Sequence, residues 1–322
     1  MNITAGKLLR SVVPHGLVQL SEARRLRSSE AYFDQFKAII PFGLARLVER
    51  RRMRLSRARF EPFGVNSALR GRHAGARCFI LCTGPSVRKQ DMRRLAGELV
   101  ISVSSAYLHP DFNVFKPAYH CVPQITYGKM TEDDVIGWFR DMHAHAGDAE
   151  MVLSSTERAL VESRGLFAGR RVHYLALGGD IAYADGGAVP DLTGPLPGPQ
   201  SVPVMALMLA LYLGCKTIYL LGTEHDHFVT GTYNYFYDRS PVSGKDLSVT
   251  GDGKVAISRY DELHAFARLW RQYRWLRSCA SSAGATIYNA TAGGALDEFE
   301  RVDFGALELA RDATDTPAVQ SP

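Results

Sequence analysis

Residues 77–87 read RCFILCTGPSV, and the reading of this stretch decides the fold. Cys78, Phe79, Ile80 and Leu81 are apolar without a helical period, and Cys82-Thr83-Gly84-Pro85-Ser86 supplies turn residues, so the spacing predicts a buried strand that ends in a tight turn. A helix is expected next, with Ser86 as its N-cap and Met92, Leu95 and Leu99 on its apolar side. In open α/β sheets ligands sit at the carboxyl ends of strands, where loop N–H groups and helix N-termini favour anions. A strand, TGPS and a helix therefore predict a first βα turn that contacts phosphate. The turn matches neither GxGxxG nor GxxxxGK[ST], so the usual dinucleotide and P-loop cradles are not indicated.

Working outward, β-like runs end in small polar residues at 99–103 (LVISV, then Ser104), 116–122 (KPAYHCV, then Gln124) and 151–155 (MVLSS). A site that binds a polyhydroxylated ligand needs such groups. A helix is expected over 133–146, and a long Gly/Pro/Asp-rich functional loop over 180–200. Ser201 is expected to cap an all-apolar helix at 204–213 that Gly214 closes, and 216–222 (KTIYLLG) reads as the clearest strand of the second half. Alternating strands and helices imply a mainly parallel, Rossmann-like α/β sheet flanked by helices. After that strand, Glu224, His225, Asp226 and His227 suit a divalent metal or an acceptor by residue type, yet an extended backbone would place His225 and His227 on one face and Asp226 on the other. Tyr233, Tyr235 and Tyr237 can donate to a phosphate. Residues 258–277 form an amphipathic helix with Leu263, Phe266, Leu269, Trp270, Tyr273 and Leu276 on its apolar face; His264 lies beside that face in the first turns, where the helix dipole favours a neutral imidazole. A last strand is expected at 286–289, followed by a closing turn and short helix over 290–304.

The chain has 322 residues, of which 46% are hydrophobic, enough for one large domain with an appendage. Residues 1–70 read as a basic helical arm, in which Phe33, Phe36, Ile39, Ile40 and Phe42 alternate with clusters of arginine from Arg24 to Arg59. Such an arm suits an anionic membrane surface or a partner subunit in a homo-oligomer. The α/β domain is expected over 71–311, with a frayed tail at 312–322. Five scattered cysteines in apolar runs argue against a disulfide framework and for a reducing cytoplasm. No secretory leader is expected, since Pro14, His15 and Gly16 break the first apolar cluster. The net charge of +5 suits anionic partners, although nothing points to nucleic acid.

The order CFILCTGPSV, LVISVSSAYL, FKPAYHCV, SVPVMALMLALYLGCKTIYLLG, the helix with His264, and ATIYNATAGGALDEFERVDF resembles the bacterial sialyltransferases of glycosyltransferase family 42. It equally resembles the group around motility accessory factors and the 6-hydroxymethylpterin pyrophosphokinase-like domain, and the likeness covers roughly residues 70–305. The resemblance implies a GT-A-like variant fold binding a CMP-activated acidic sugar: sialic acid, a related nonulosonic acid or Kdo. The acceptor would be a bacterial surface glycan or glycolipid at the inner membrane. It implies donor contacts from Thr83 and Ser104, where the family has asparagines, from Gly84, Pro85, Ser86 and Ser201, and from the three tyrosines; Gln124 joins these donor candidates by its place at a strand end. Counting twelve residues back from Leu276 gives His264 as the general base of an inverting transfer that needs no metal. Glu224 and Asp226 would serve an acceptor, or Mg²⁺ if the chain is instead an ATP-dependent pyrophosphokinase-like enzyme. A non-catalytic glycan-binding protein of the same fold is the third reading.

Overall fold

The computed structural model of the chain describes residues 61–122, 124–125, 130–179, 187–238, 250 and 254–310. The basic segment 1–60 and the tail from 311 lie outside the described residues, as does the membrane-facing role expected for the arm.

The stretch 77–87 is, as read, a buried strand and a turn. Strand β1 (Arg77–Leu81) pairs in parallel with β2 (Leu99–Val103) on one side and with β7 (Thr217–Leu221) on the other. Its side chains alternate between two cores, Cys78 and Ile80 in one, Phe79 and Leu81 in the other, as a strand buried on both faces requires. Beyond β2 lie β3 (Tyr119–Cys121), β4 (Glu150–Ser154), β5 (Val172–Gly179) and β6 (Pro195–Pro197); beyond β7 lie β8 (Thr286–Asn289) and β9 (Glu300–Arg301). The order is β6-β5-β4-β3-β2-β1-β7-β8-β9 and every neighbouring pair is parallel. The direction of winding reverses between β1 and β7, which makes their carboxyl ends the topological switch point.

Among the described residues six α-helical segments accompany the sheet: α1 (Phe112–Phe115), α2 (Glu132–His145), α3 (Arg158–Ser163), α4 (Val202–Tyr212), α5 (His227–Thr230) and α6 (Arg259–Ser282). Helix α2 starts on a capping box in which the Thr131 hydroxyl accepts from the Asp134 N–H and the Asp134 carboxylate accepts from the Thr131 N–H. Helix α4 is apolar all round and buried from Pro203 to Tyr212, sandwiched between the sheet and α6. It closes on Gly214 at φ +87°, with N–H bonds from Gly214 to Leu211 and from Cys215 to Ala210. No helix among the described residues is long and apolar enough to cross a membrane, and all five cysteines are buried free thiols.

Several local expectations give way to tertiary context. After β1 there is no long helix: Gly84 is the cap of a 3-10 turn (Pro85–Lys89), a second turn follows (Met92–Leu95), and Leu99 opens β2. Ser201 holds the N-cap position of α4 but makes no side-chain capping bond. Within the expected loop 180–200, Pro195–Pro197 adds a strand to the sheet edge. Strand β3 starts only at Tyr119, because Lys116 is left-handed (φ +43°) at the end of α1. Strands β5 and β9 have no counterpart among the elements expected from the sequence. Helix α6 runs on to Ser282, and Leu263, expected on its apolar face, is exposed. After β8 the short helix is a 3-10 turn (Phe304–Ala306), and a two-residue strand precedes it. Residues 61–70, expected in the arm, belong to the α/β unit: Leu69 is buried, and Asn66 donates to the carbonyls of Tyr174 and Leu192.

Candidate functional site

A cleft of about 510 Å³ opens at the carboxyl ends of β1, β2 and β7, the switch point. Thr83 and Gly84 follow β1 into it, Ser104 follows β2, Gln124 lies beyond β3, and residues 222–227 follow β7. Ser201 at the head of α4 closes one side, residues 232–235 another, and Glu262, Ala265, Phe266 and Leu269 of α6 a third.

Two of these strand ends hold a non-glycine residue in the left-handed region, Ser104 at φ +54° and His225 at φ +47°. Such backbones cost about 1 kcal/mol each and persist where the surroundings fix them. For Ser104 the fixing group is His120, fully buried on β3. Its Nε2–H donates to the Ser104 carbonyl at 2.8 Å, which leaves Nδ1 to accept from the Ser102 hydroxyl at 2.7 Å. Burial lowers the His120 pKa to about 4 against the support of that backbone bond. The unfolded chain therefore takes up a proton near pH 6.5 that the folded chain refuses until about pH 4. This share of stability is complete above pH 6.5 and is lost as pH falls toward 4, at up to about 1.4 kcal/mol per pH unit. Denaturant unfolding at pH 7, 6 and 5 should show a slope shallower by about that amount in His120→Gln; an unchanged slope would contradict the assignment.

The first βα turn differs from the expected phosphate cradle. The Ser86 N–H donates at 2.7 Å to Oε1 of Glu224, whose side chain is buried against Gly84. The chain's own carboxylate thus takes the N–H group expected to face a phosphate, and Pro85 and Ser86 do not line the cleft. Ser86 is 3% exposed, its hydroxyl without a hydrogen-bond partner among the described residues. Oε2 of Glu224 likewise has none.

The segment after β7 is not extended. The left-handed turn at His225 sends its ring to α6, where Nε2 lies 2.7 Å from the Tyr273 hydroxyl. His227 instead heads α5 and stacks on Tyr233, with ring centroids 3.8 Å apart, and against Phe266 at 4.5 Å. Burial lowers the pKa of His225 to about 3, with His227 contributing, and that of His227 to about 4. Both are neutral at pH 7. The expected shared face is therefore absent, and no group of three or more His, Cys, Asp or Glu side chains among the described residues is arranged to hold a metal ion.

The tyrosines divide. Tyr233 and Tyr235 line the cleft, whereas Tyr237, stacked on Tyr235 at 5.1 Å, faces a second hollow on the far side of the first turn with Arg88 and Lys89. His264 is absent from the cleft lining. The lining positions 262, 265, 266 and 269 form one stripe of α6, and at about 100° per residue His264 points to the opposite side, where its ring neighbours Tyr260. Thr83, Gly84, Ser104, Gln124, Ser201, Glu224, Asp226, Tyr233 and Tyr235 do converge.

Sequence reasoning passed over Glu262 and Gln272. Glu262 is 3% exposed, one oxygen paired with Arg259 at 2.9 Å and the other without a partner among the described residues. Gln272 accepts from the Gln200 N–H and donates to the Gly198 carbonyl, both at 2.8 Å, which holds the approach to Ser201 against α6. On an amphipathic helix neither carries a signal that separates it from a solvated polar residue.

No protein-family model matches the sequence, and no curated protein matches it. Among solved structures the chain is similar to the MAf glycosyltransferase from Magnetospirillum magneticum AMB-1, with 17% identity, a TM-score of 0.43 and coverage of 74% of this chain. It spans 35% of the length of that protein. It is also similar to the sialyltransferase CstII from Campylobacter jejuni, in complex with cytidine 5′-monophosphate (14% identity, TM-score 0.43, 71% of this chain and 85% of that one) and with CMP-3FNeuAc (12%, 0.40, 70% and 86%).

Proposed function

We propose that the chain is a glycosyltransferase that moves an acidic sugar from a CMP-activated donor to a hydroxyl of a bacterial surface glycan or glycolipid, with inversion. The observation that carries this reading is the cleft at the β1/β7 switch point, where hydroxyl and amide side chains from six separate segments converge. The order of sequence motifs supports the CMP donor, as does the occurrence of CMP complexes among the solved structures to which the chain is similar. Thr83, Ser104 and Ser201 would contact the donor, and Tyr233 and Tyr235 would donate to its phosphate.

The transfer requires a base. As the acceptor oxygen attacks the anomeric carbon, its proton passes to that base while the C–O bond to the CMP phosphate breaks and the electron pair leaves with the phosphate. His227 lines the cleft at the head of α5, and we assign it this role. His264, which the sequence resemblance implies, is the alternative.

The donor class is tested by thermal shift with CMP, CDP, UDP, GDP and ATP, each with and without Mg²⁺. CMP at about a hundred times its dissociation constant should add roughly 2.7 kcal/mol, with or without chelator. Stabilisation by ATP with Mg²⁺ alone would replace the transferase by a pyrophosphokinase-like enzyme, and silence throughout would favour a glycan-binding protein.

A further inference from the structure

The hydroxyl of Tyr273 determines how His225 presents its ring. Tyr273 is fully buried, and among the described residues its hydroxyl has one hydrogen-bond partner, His225 Nε2 at 2.7 Å. Burial holds the phenol protonated, so it carries a proton that needs an acceptor, and the imidazole nitrogen is the group within reach. Nε2 therefore accepts, and in the neutral ring the proton stands on Nδ1.

His225 occupies the carboxyl end of β7 in a left-handed backbone that turns its ring against Trp270 and Tyr273 of α6, and the residue forms part of the cleft wall. The charged residues of that wall are Glu224, Asp226 and Glu262, and among the described residues no lysine or arginine lines it. A phosphate entering this cleft has to be held by neutral donors, since the first βα turn has given its Ser86 N–H to Glu224.

We infer that the Nδ1–H of His225 donates a hydrogen bond to a phosphate oxygen of the nucleotide, and that Tyr273 is the positioning residue that fixes the tautomer. The inference rests on the nucleotide-sugar reading and adds a leaving-group contact to it. When the bond between the anomeric carbon and the phosphate oxygen breaks, the electron pair moves onto the phosphate, and the Nδ1–H stabilises the added charge without transferring its proton. The donor is neutral here because burial disfavours the imidazolium form of His225.

The test is side-chain ¹⁵N NMR of the full chain with its histidines labelled, titrated first with inorganic phosphate and then with CMP. His225 should show an unprotonated Nε2 and a protonated Nδ1, and CMP should shift the Nδ1 signal. His225→Asn, which tolerates the left-handed backbone, should weaken CMP binding about tenfold. Tyr273→Phe should weaken it less and mix the two tautomers, a signature that loss of packing alone would not give. A protonated Nε2 in the wild-type chain, an unmoved Nδ1 signal at saturating CMP, or unchanged CMP affinity in His225→Asn would overturn the inference. If phosphate moves Nδ1 while CMP does not bind, the anion contact stands and the CMP reading falls; if neither ligand acts, both fall.

Discussion

Gly84→Ala is expected to leave little folded protein. The Cβ it adds would overlap the Glu224 carboxylate and lie 2.6 Å from the Gly222 carbonyl oxygen. Both neighbours are fixed: Gly222 accepts from the Gly84 N–H at 2.9 Å, and Glu224 is held by the Ser86 N–H and by the Ala295 N–H on its own carbonyl. Relief would require β1 and β7 to separate at the centre of the sheet, so the expected loss is above about 4 kcal/mol, in the range reserved for severe core disruption. Glu224→Ala in the same chain should recover only part of it, because the Gly222 carbonyl is backbone and cannot be trimmed. Urea unfolding of wild type and the two variants measures this; a Gly84→Ala chain within about 1 kcal/mol of wild type would show that the two strand ends are not packed as described.

His227→Ala is expected to lower the turnover of CMP-sugar by about 10²–10⁴, the usual worth of a general base, while CMP still stabilises the protein. The ring leaves a partly open cleft wall rather than a core, so folding should survive the change. His264→Ala is the comparison. On the far side of α6 from the cleft stripe, it should cost less than about threefold by the same criterion of base catalysis. Equal losses in the two variants, or a larger one at His264, would return the role to the residue that the motif spacing implies.

These two expectations also mark where the sequence is legible and where it is not. The strands at 77–81, 99–103, 217–221 and 286–289 could be read because a parallel sheet covered on both faces demands short unbroken apolar runs bounded by turn residues. Helix α4 was readable for the same reason: being buried all round, it is apolar all round. Strand β5 escaped because its VHYLALGG mixes polar and small residues, and β6 because two of its three residues are prolines tolerated at a sheet edge. The turn after β1 was placed correctly, but its occupant was not: a local pattern shows a free N–H group and not the carboxylate that arrives from position 224.

By itself the sequence determined the class of fold, the helix that fills its core and the strand ends that carry polar side chains, because each of these is written in the period and punctuation of neighbouring residues. The tertiary structure alone decided which polar groups face one another. Glu224 fills the first turn, Tyr273 sets the ring of His225, His120 holds Ser104, and α6 turns Glu262 rather than His264 to the cleft. Each of these depends on the rotation of a helix or the left-handed turn of a single residue. Such angles are set by packing between segments 16 to 138 residues apart in the chain and leave no mark on local spacing.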